Sequence, residues 1–212
     1  MISLAHQCVF VHIPKCAGQS VETAFLNDLK LTWKQRAVLL LRPKTVCDPQ
    51  GAPPKLAHLM ADQYVGFNYM PAKLFKTYLR FSVIRNPWAR VYSIYKYKTN
   101  QKLSFSDFVV KVFEKKFFNK LFWFAAPQVD YLSNQDGKLL VEHVVRLENA
   151  KEIEKIFHSL GFADLQLPYV NESKSKNKSN LSKNYQDVYC QQSYDLVRKL
   201  YAKDIDAFDY SF

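Results

Sequence analysis

The sequence predicts a single α/β domain over residues 1–212, with a small, mainly parallel central sheet flanked by helices. Two segments carry this prediction, 9–20 and 79–98, because each runs from a short apolar strand through a turn into a helix. A third apolar stretch, 139–147, precedes a helical pattern at 148–160 and supplies a further strand. The chain has 212 residues, 48% of them hydrophobic, so it can bury one substantial core.

The other expected elements follow from apolar spacing and from capping residues. Ser104 or Ser106 is expected to cap one helix, and Gly161 to end another. The proline-rich stretch 43–54 is expected to be a surface loop. The expected helices cover residues 31–41, 59–65, 71–78, 87–98, 104–118, 148–160 and 185–201.

The first segment, 9–20, has the form of a P-loop-like phosphate-binding loop. Pro14 ends the strand by removing a backbone donor, and the following turn can direct several N–H groups at one anion, with Lys15 adding positive charge. The lysine precedes Gly18, whereas the ATP-binding P-loop places a lysine and a hydroxyl directly after its last glycine. The segment therefore favours a phosphate ligand without a metal. Taken alone, such a turn also fits a purely structural role.

The second segment delivers an arginine to a helix start. A strand beginning at Leu79 ends at Arg85, and Pro87 occupies a favoured first-turn position of the helix that follows. Ser93 lies eight residues after Arg85, about two turns into that helix, and shares a face with its opening. A guanidinium and a hydroxyl suit a terminal phosphate, because guanidinium donates two parallel hydrogen bonds.

Together the two segments resemble the sulfotransferase superfamily, specifically the carbohydrate-type group called sulfotransferase family 2. Residues 11–20 are similar to that family's 5′-phosphosulfate loop, and residues 81–93 to its 3′-phosphate motif. The resemblance spans nearly the whole chain through weaker matches at 58–61, 127–128, 145–148, 171–174 and the acidic-aromatic C-terminus.

The resemblance implies a donor, 3′-phosphoadenosine-5′-phosphosulfate (PAPS), and transfer of its sulfuryl group to an acceptor hydroxyl or amine. Cys16 stands where the family commonly has threonine, and a thiol is a weak donor, so a hydroxyl contact made there by relatives is in doubt. Arg85 and Ser93 would bind the 3′-phosphate. The residues implied around the 5′-phosphosulfate are Lys15, Ala17, Gly18, Gln19 and Ser20.

Sulfuryl transfer needs cations near the leaving phosphate and a base near the acceptor. Lys15 can meet the developing negative charge. His58 is the predicted base, because it follows the proline-rich stretch and opens a helical pattern, which places it at a loop–helix junction. His12 alternates with apolar residues on the first strand and is expected to have a hydrogen-bonded core role, while His143 and His158 are expected to be structural or exposed.

Two further regions are candidate nucleotide contacts. Arg146 lies where the third strand passes into a helix, at the sheet edge where α/β folds place ligands, although a surface ion pair explains it almost as well. The polar run 171–180 is either a lid, with Ser173 and Lys174 touching phosphate, or a solvated linker.

The net charge of +11 fits an anionic donor and leaves room for an acidic glycan as acceptor. Lysines and aromatic residues also alternate over 95–120, which is compatible with a nucleic-acid surface, but an amphipathic helix with a solvated lysine face is the simpler interpretation. A nucleotide-dependent kinase is the other alternative, and it would require magnesium ligands that the first motif lacks.

Pro14 and Lys15 interrupt the first apolar run after a few residues, so we do not expect secretion. No apolar run in the sequence is long enough to span a membrane. The cysteines are scattered and specify neither a zinc site nor a disulfide framework: Cys8, Cys16, Cys47 and Cys190. We therefore expect a cytoplasmic, bacterial enzyme that requires no metal and acts on a carbohydrate or a small metabolite.

Overall fold

The structure is a computed structural model, and it describes residues 1–42, 53, 55–98, 103–119, 121–162, 182 and 184–212. Most of the expected loop 43–54 and the whole polar run 171–180, including Ser173 and Lys174, lie outside the described residues.

The described residues form a four-stranded sheet in the order β1-β2-β3-β4. Its strands are β1 (Ile2–Ser3), β2 (Cys8–Phe10), β3 (Leu79–Ile84) and β4 (His143–Arg146). β1 pairs antiparallel with β2, whereas β2–β3 and β3–β4 are parallel pairs. The predicted α/β class with a small, mainly parallel sheet is confirmed.

The other elements of the described residues are mostly short helices. The α-helices are α1 (Gly18–Asp28), α2 (Gln63–Gly66), α3 (Ala72–Thr77), α4 (Pro87–Lys98), α5 (Phe105–Phe108), α6 (Phe122–Ala125), α7 (Gln128–Leu132), α8 (Ala150–Ser159), α9 (Gln191–Leu200) and α10 (Ala202–Phe208). Three 3₁₀ turns cover Trp33–Leu39, Leu56–His58 and Gln186–Val188, and a π-helix covers Val109–Phe118.

The chain divides into two compact units. The first comprises Met1–Ile84 and Gln128–Val170, and the second comprises Arg85–Pro127 and Asn171–Phe212. The sheet and the loop that follows β2 belong to the first unit, while Arg85 and α4 belong to the second. That the chain acts as one domain stays a prediction.

The core of the first unit forms between the sheet and helices α1 and α8. Phe10 and Phe81 lie opposite each other in the register of β2 and β3, and both are fully buried. Phe25 on α1 packs against Phe157 on α8 with ring centroids 5.5 Å apart. Packing of α1 against this apolar core fixes the helix whose first turn follows the candidate phosphate loop.

The core of the second unit forms around α4. Trp88 stacks on Tyr194 of α9 at 5.4 Å, and Tyr92 contacts Phe105 edge-on at 5.2 Å. Phe212 contacts Trp88 and Tyr194 edge-on, which fastens the C-terminal residues to the same cluster.

Four sequence predictions need correction. The helix expected over 59–65 is confined to Gln63–Gly66, because the backbone N–H of Ala61 donates to the carbonyl of Tyr131 instead of bonding within a helix. Residues 33–39 form 3₁₀ turns instead of the helix expected over 31–41. The strand expected over 139–147 is confined to His143–Arg146, because Leu139 pairs with Ser133 in an antiparallel bridge instead of joining the sheet. The helix expected over 185–201 begins only at Gln191, after the separate Gln186–Val188 turn.

A buried arginine ties α4 to the end of α6. The guanidinium of Arg90 donates to the carbonyls of Ala126 at 2.7 Å and Phe124 at 3.3 Å. The hydroxyl of Tyr201 donates to the intervening carbonyl of Ala125 at 2.6 Å. Side chains thus satisfy three consecutive carbonyls where α6 ends.

We expect Arg90→Met to lower the free energy of unfolding by about 3 kcal/mol, because it leaves two buried carbonyls without their charged donor. Urea unfolding measures the change. Arg198→Met, at an exposed position of α9, is the matched control and should stay within about 0.5 kcal/mol of the wild type. Equal stabilities for the two variants would contradict the assignment.

Candidate active site

In the loop between β2 and α1, every second residue has a left-handed backbone conformation. Lys15 and Ala17 have positive φ, 70° and 57°, whereas Cys16 and Gly18 do not. Such alternation turns successive N–H groups toward one side and forms a concavity that suits an anion. Because α1 begins at Gly18, the first-turn amides and the positive end of the helix dipole follow directly.

Gly18 is required because a histidine ring occupies the space where a Cβ would lie. A Cβ built on Gly18 would come within 2.0 Å of Cδ2 and 2.1 Å of Nε2 of His12. His12 itself is buried, as its expected core role predicted, although strand β2 ends at Phe10, before this residue. The His12 ring therefore packs directly against Gly18, the first residue of α1.

A carboxylate on α1 holds the His12 ring in this place. Oε1 of Glu22 lies 2.5 Å from Nδ1 of His12, and both residues are buried. Since a carboxylate oxygen accepts, Nδ1 carries the hydrogen. Sequence reasoning missed Glu22. Its spacing could have indicated a buried acid, because Glu22 lies four residues after Gly18, on the same helix face as Phe25.

His58 lies against the other side of His12. It ends the Leu56–His58 turn, and its ring meets the His12 ring edge-on with centroids 4.3 Å apart. Nδ1 of His58 lies 3.1 Å from the backbone oxygen of His12. A carbonyl can only accept, so Nδ1 carries the hydrogen and Nε2 presents the lone pair of the neutral ring.

The surroundings keep His58 uncharged. Desolvation lowers its pKa well below the ordinary value of 6.5, and the nearby charges of His12 and Lys55 act in the same direction. The hydrogen bond to the His12 carbonyl opposes these effects without outweighing them. A histidine that is neutral at pH 7 is in the protonation state that a general base requires.

Cys16 anchors the loop through its thiol. Its Sγ donates to Oε1 of Gln128 at 3.2 Å, and both side chains are buried. Gln128 begins α7, so this contact fixes the loop to an element far away in the sequence. The thiol has an internal partner at the position where the resemblance led us to expect threonine.

In the second unit, Arg85 precedes a capped helix. Asn86 accepts from the amides of Trp88 at 3.1 Å and Ala89 at 3.3 Å through Oδ1, which caps α4. Nδ2 of Asn86 donates to the backbone oxygen of Ser211 at 2.7 Å. Arg85 and Ser93 are both half-buried, and α4 spans Pro87–Lys98 as predicted.

The structure thus brings two of the predicted site residues to a common neighbour. Gly18 and His58 meet at His12, in the first unit. Arg146 is exposed at the end of β4, paired in register with Ile84. The loop residues around Gly18 differ in exposure: Lys15 and Ala17 are half-buried, Gln19 is exposed and Ser20 is buried.

Comparison with known families identifies the chain. A model of the Sulfotransferase family, in the group called carbohydrate sulfotransferase family 2, matches residues 1–211. The chain belongs to this family. It is therefore a transferase, and the family indicates sulfuryl transfer to a hydroxyl-bearing acceptor. No curated protein and no solved structure gave a match.

None of the described helices is both long and apolar enough to cross a membrane. The described part of the chain also contains no group of three or more His, Cys, Asp or Glu side chains placed to hold a metal ion. The predicted cytoplasmic location stays a prediction.

We expect Gly18→Ala to destabilise the protein by about 1–3 kcal/mol, because the new methyl group must displace the buried His12 ring. The matched control is Gly66→Ala, where a Cβ meets nothing within 4 Å and the change should be neutral or stabilising by up to about 1 kcal/mol. Thermal and urea unfolding of both variants measure the change in the free energy of unfolding and its sign. Equal effects would show that the His12 ring does not restrict position 18.

The lowered pKa of His58 predicts a pH-dependent stability. Below pH 6.5 the unfolded chain binds a proton at His58 that the folded protein does not bind, so the free energy of unfolding falls as pH decreases toward the folded-state pKa. In His58→Asn this contribution is absent. Urea unfolding at pH 6.5 and about one unit below should show a shallower decline for His58→Asn. The exposed His158→Asn should keep the wild-type slope.

Proposed function

We propose that the protein transfers the sulfuryl group of PAPS to a hydroxyl of a carbohydrate or small metabolite, with His58 as general base. One observation supports this most. The neutral ring of His58 lies on one side of His12, and the loop whose Lys15 and Ala17 have left-handed backbones lies on the other. Residues 1–212 would act as one sulfotransferase domain, which the family match over 1–211 supports.

The loop after β2 is proposed to bind the 5′-phosphosulfate in a P-loop-like manner. Lys15 and Ala17 already have the left-handed backbone that creates an anion-binding concavity, and the eleven-residue helix α1 begins directly behind it. When bound, PAPS supplies a sulfuryl group on a good leaving phosphate. The proposed ligands are Lys15, Ala17, Gly18, Gln19 and Ser20.

His58 and Lys15 are proposed to act on the two oxygens between which the sulfuryl group moves. Nε2 of His58 takes the acceptor's hydroxyl proton as the new sulfur–oxygen bond forms. As the bond between sulfur and the phosphate oxygen breaks, the ammonium of Lys15 and the first amides of α1 meet the growing negative charge. Adenosine 3′,5′-bisphosphate is the other product, and none of these steps calls for a metal.

The 3′-phosphate is proposed to bind Arg85 and Ser93. The N-cap that Asn86 provides supports this assignment, because it fixes the backbone between Arg85 and α4. Arg146, Ser173 and Lys174 are proposed as additional nucleotide contacts. The net charge of +11 favours anionic donors and is compatible with an acidic glycan as acceptor.

The nucleotide assignment is tested by thermal-shift titration. Adenosine 3′,5′-bisphosphate should stabilise the wild type without added metal, whereas ATP with magnesium should not. Stabilisation by ATP–magnesium alone would favour a kinase, and stabilisation by an oligonucleotide alone would favour a nucleic-acid-binding protein.

We expect Arg85→Ala to weaken binding of adenosine 3′,5′-bisphosphate about 10- to 100-fold, because a charge-assisted pair of hydrogen bonds to the 3′-phosphate is lost. Isothermal calorimetry measures the affinity. Arg85→Lys keeps the charge but not the paired donors, and should bind with intermediate affinity. Undiminished binding by Arg85→Ala would rule out this phosphate contact.

We expect His58→Ala to lower kcat about 100-fold or more while leaving donor affinity nearly unchanged, because the base acts on the acceptor and not on the nucleotide. Steady-state transfer of labelled sulfate and nucleotide titration separate the two effects. His143→Ala, at an exposed position of β4, is the matched histidine control. An unchanged kcat in His58→Ala would refute the assignment of the base.

A further inference from the structure

The buried carboxylate of Glu22 is not explained by stability. Glu22 is 3% exposed and lies on a helix face whose neighbours Val21, Ala24 and Phe25 belong to the apolar core. Removing a carboxylate from water is costly, and an apolar side chain of similar volume at such a position often stabilises a protein as well or better. The contact that Glu22 makes with His12 therefore points to a role in placing other groups.

The Glu22–His12 hydrogen bond fixes one orientation of the His12 ring. With Nδ1 held on Glu22 Oε1 at 2.5 Å, the Cδ2–Nε2 edge faces the α-carbon of Gly18. Rotation of this ring about its Cβ–Cγ bond would remove Nδ1 from the carboxylate. The ring therefore supports the start of α1 in a single defined geometry.

The same ring supports His58. The two imidazoles are in edge-on contact at 4.3 Å, and the His12 carbonyl accepts the hydrogen bond from Nδ1 of His58. That bond reaches the backbone of His12 and not its ring, so the arrangement positions His58 without forming a proton path. A shift of the His12 ring would move the base and the loop together.

We infer that Glu22 is a positioning residue for sulfuryl transfer: through His12 it sets the orientation of His58 relative to the loop at Gly18. This inference rests on the proposed function for its kinetic consequence. Its structural part, that Glu22 determines the environment of His58, holds or fails without any substrate.

The experiment compares Glu22→Leu, Glu22→Gln and Asp28→Asn with the wild type. Leucine fills the volume without accepting a hydrogen bond, whereas glutamine can still accept from Nδ1 of His12. Asp28 is the matched control, because it lies on the same helix and bonds a different histidine, His6, at 2.9 Å.

The first readout uses the protein alone. Nitrogen-15 NMR of the histidine side chains reports the tautomer and the pKa of His58. We expect Glu22→Leu to mix the tautomers of His58, because the His12 backbone that accepts from its Nδ1 is no longer held in place, while Glu22→Gln and Asp28→Asn keep the single tautomer. Unchanged His58 signals in folded Glu22→Leu would overturn the inference.

The second readout is transfer from PAPS. Glu22→Leu should lower kcat about 100-fold with a smaller change in the KM for PAPS, and Glu22→Gln should restore kcat to within about 10-fold of the wild type. If the wild type transfers no sulfate, the proposed function fails, and the NMR comparison still decides the role of Glu22. If Glu22→Leu does not fold, Glu22→Asp retracts the carboxylate by one methylene and serves the same comparison, where an unchanged His58 again overturns the inference.

Discussion

The close approach of the His12 ring to the α-carbon of Gly18 is the constraint on which the candidate site depends. The ring fills the volume that any other residue at position 18 would need for its Cβ. Strand β2, the loop at residues 11–17 and the start of α1 therefore pack together. Burial of the strand fixes the ring, and the ring fixes the point at which the helix begins.

Several polar groups of this region form hydrogen bonds inside the protein, and these bonds hold the loop in its conformation. Glu22 bonds His12, and Cys16 bonds Gln128, each at a buried position. Ser82 on β3 adds a hydrogen bond of 2.7 Å to the carbonyl of Val11, where the loop leaves the sheet. Such internal bonding holds Lys15 and Ala17 in backbone conformations that non-glycine residues seldom adopt.

The sequence predicted those elements whose signals are local. The helix Pro87–Lys98 was predicted to the residue, because proline marks its first turn. The strand Leu79–Ile84 was also predicted, since its apolar run meets a turn at both ends. Short-range rules determine both, and tertiary contacts agree with them.

Elements that depend on partners distant in the sequence were predicted less well. The start of the apolar run 139–147 does not join the sheet because the backbone of Leu139 and Leu140 pairs with residues 132–133, a contact that apolar spacing does not reveal. Glu22 was missed for a related reason. The role of a single carboxylate on an apolar helix face becomes visible only when folding brings His12 within hydrogen-bonding distance of it.

The burial of the Cys16 thiol has a practical consequence. A sulfhydryl enclosed in a loop reacts with alkylating reagents only during the moments when that loop opens, so its labelling rate reports the frequency of opening. Cys190 is exposed, and hydrogen bonds from Ser193 and Ser106 lower its pKa to about 7, so it would react first and obscure the signal. In a variant that retains Cys16 as its sole sulfhydryl, the chain carries its own reporter of loop motion one residue away from Lys15.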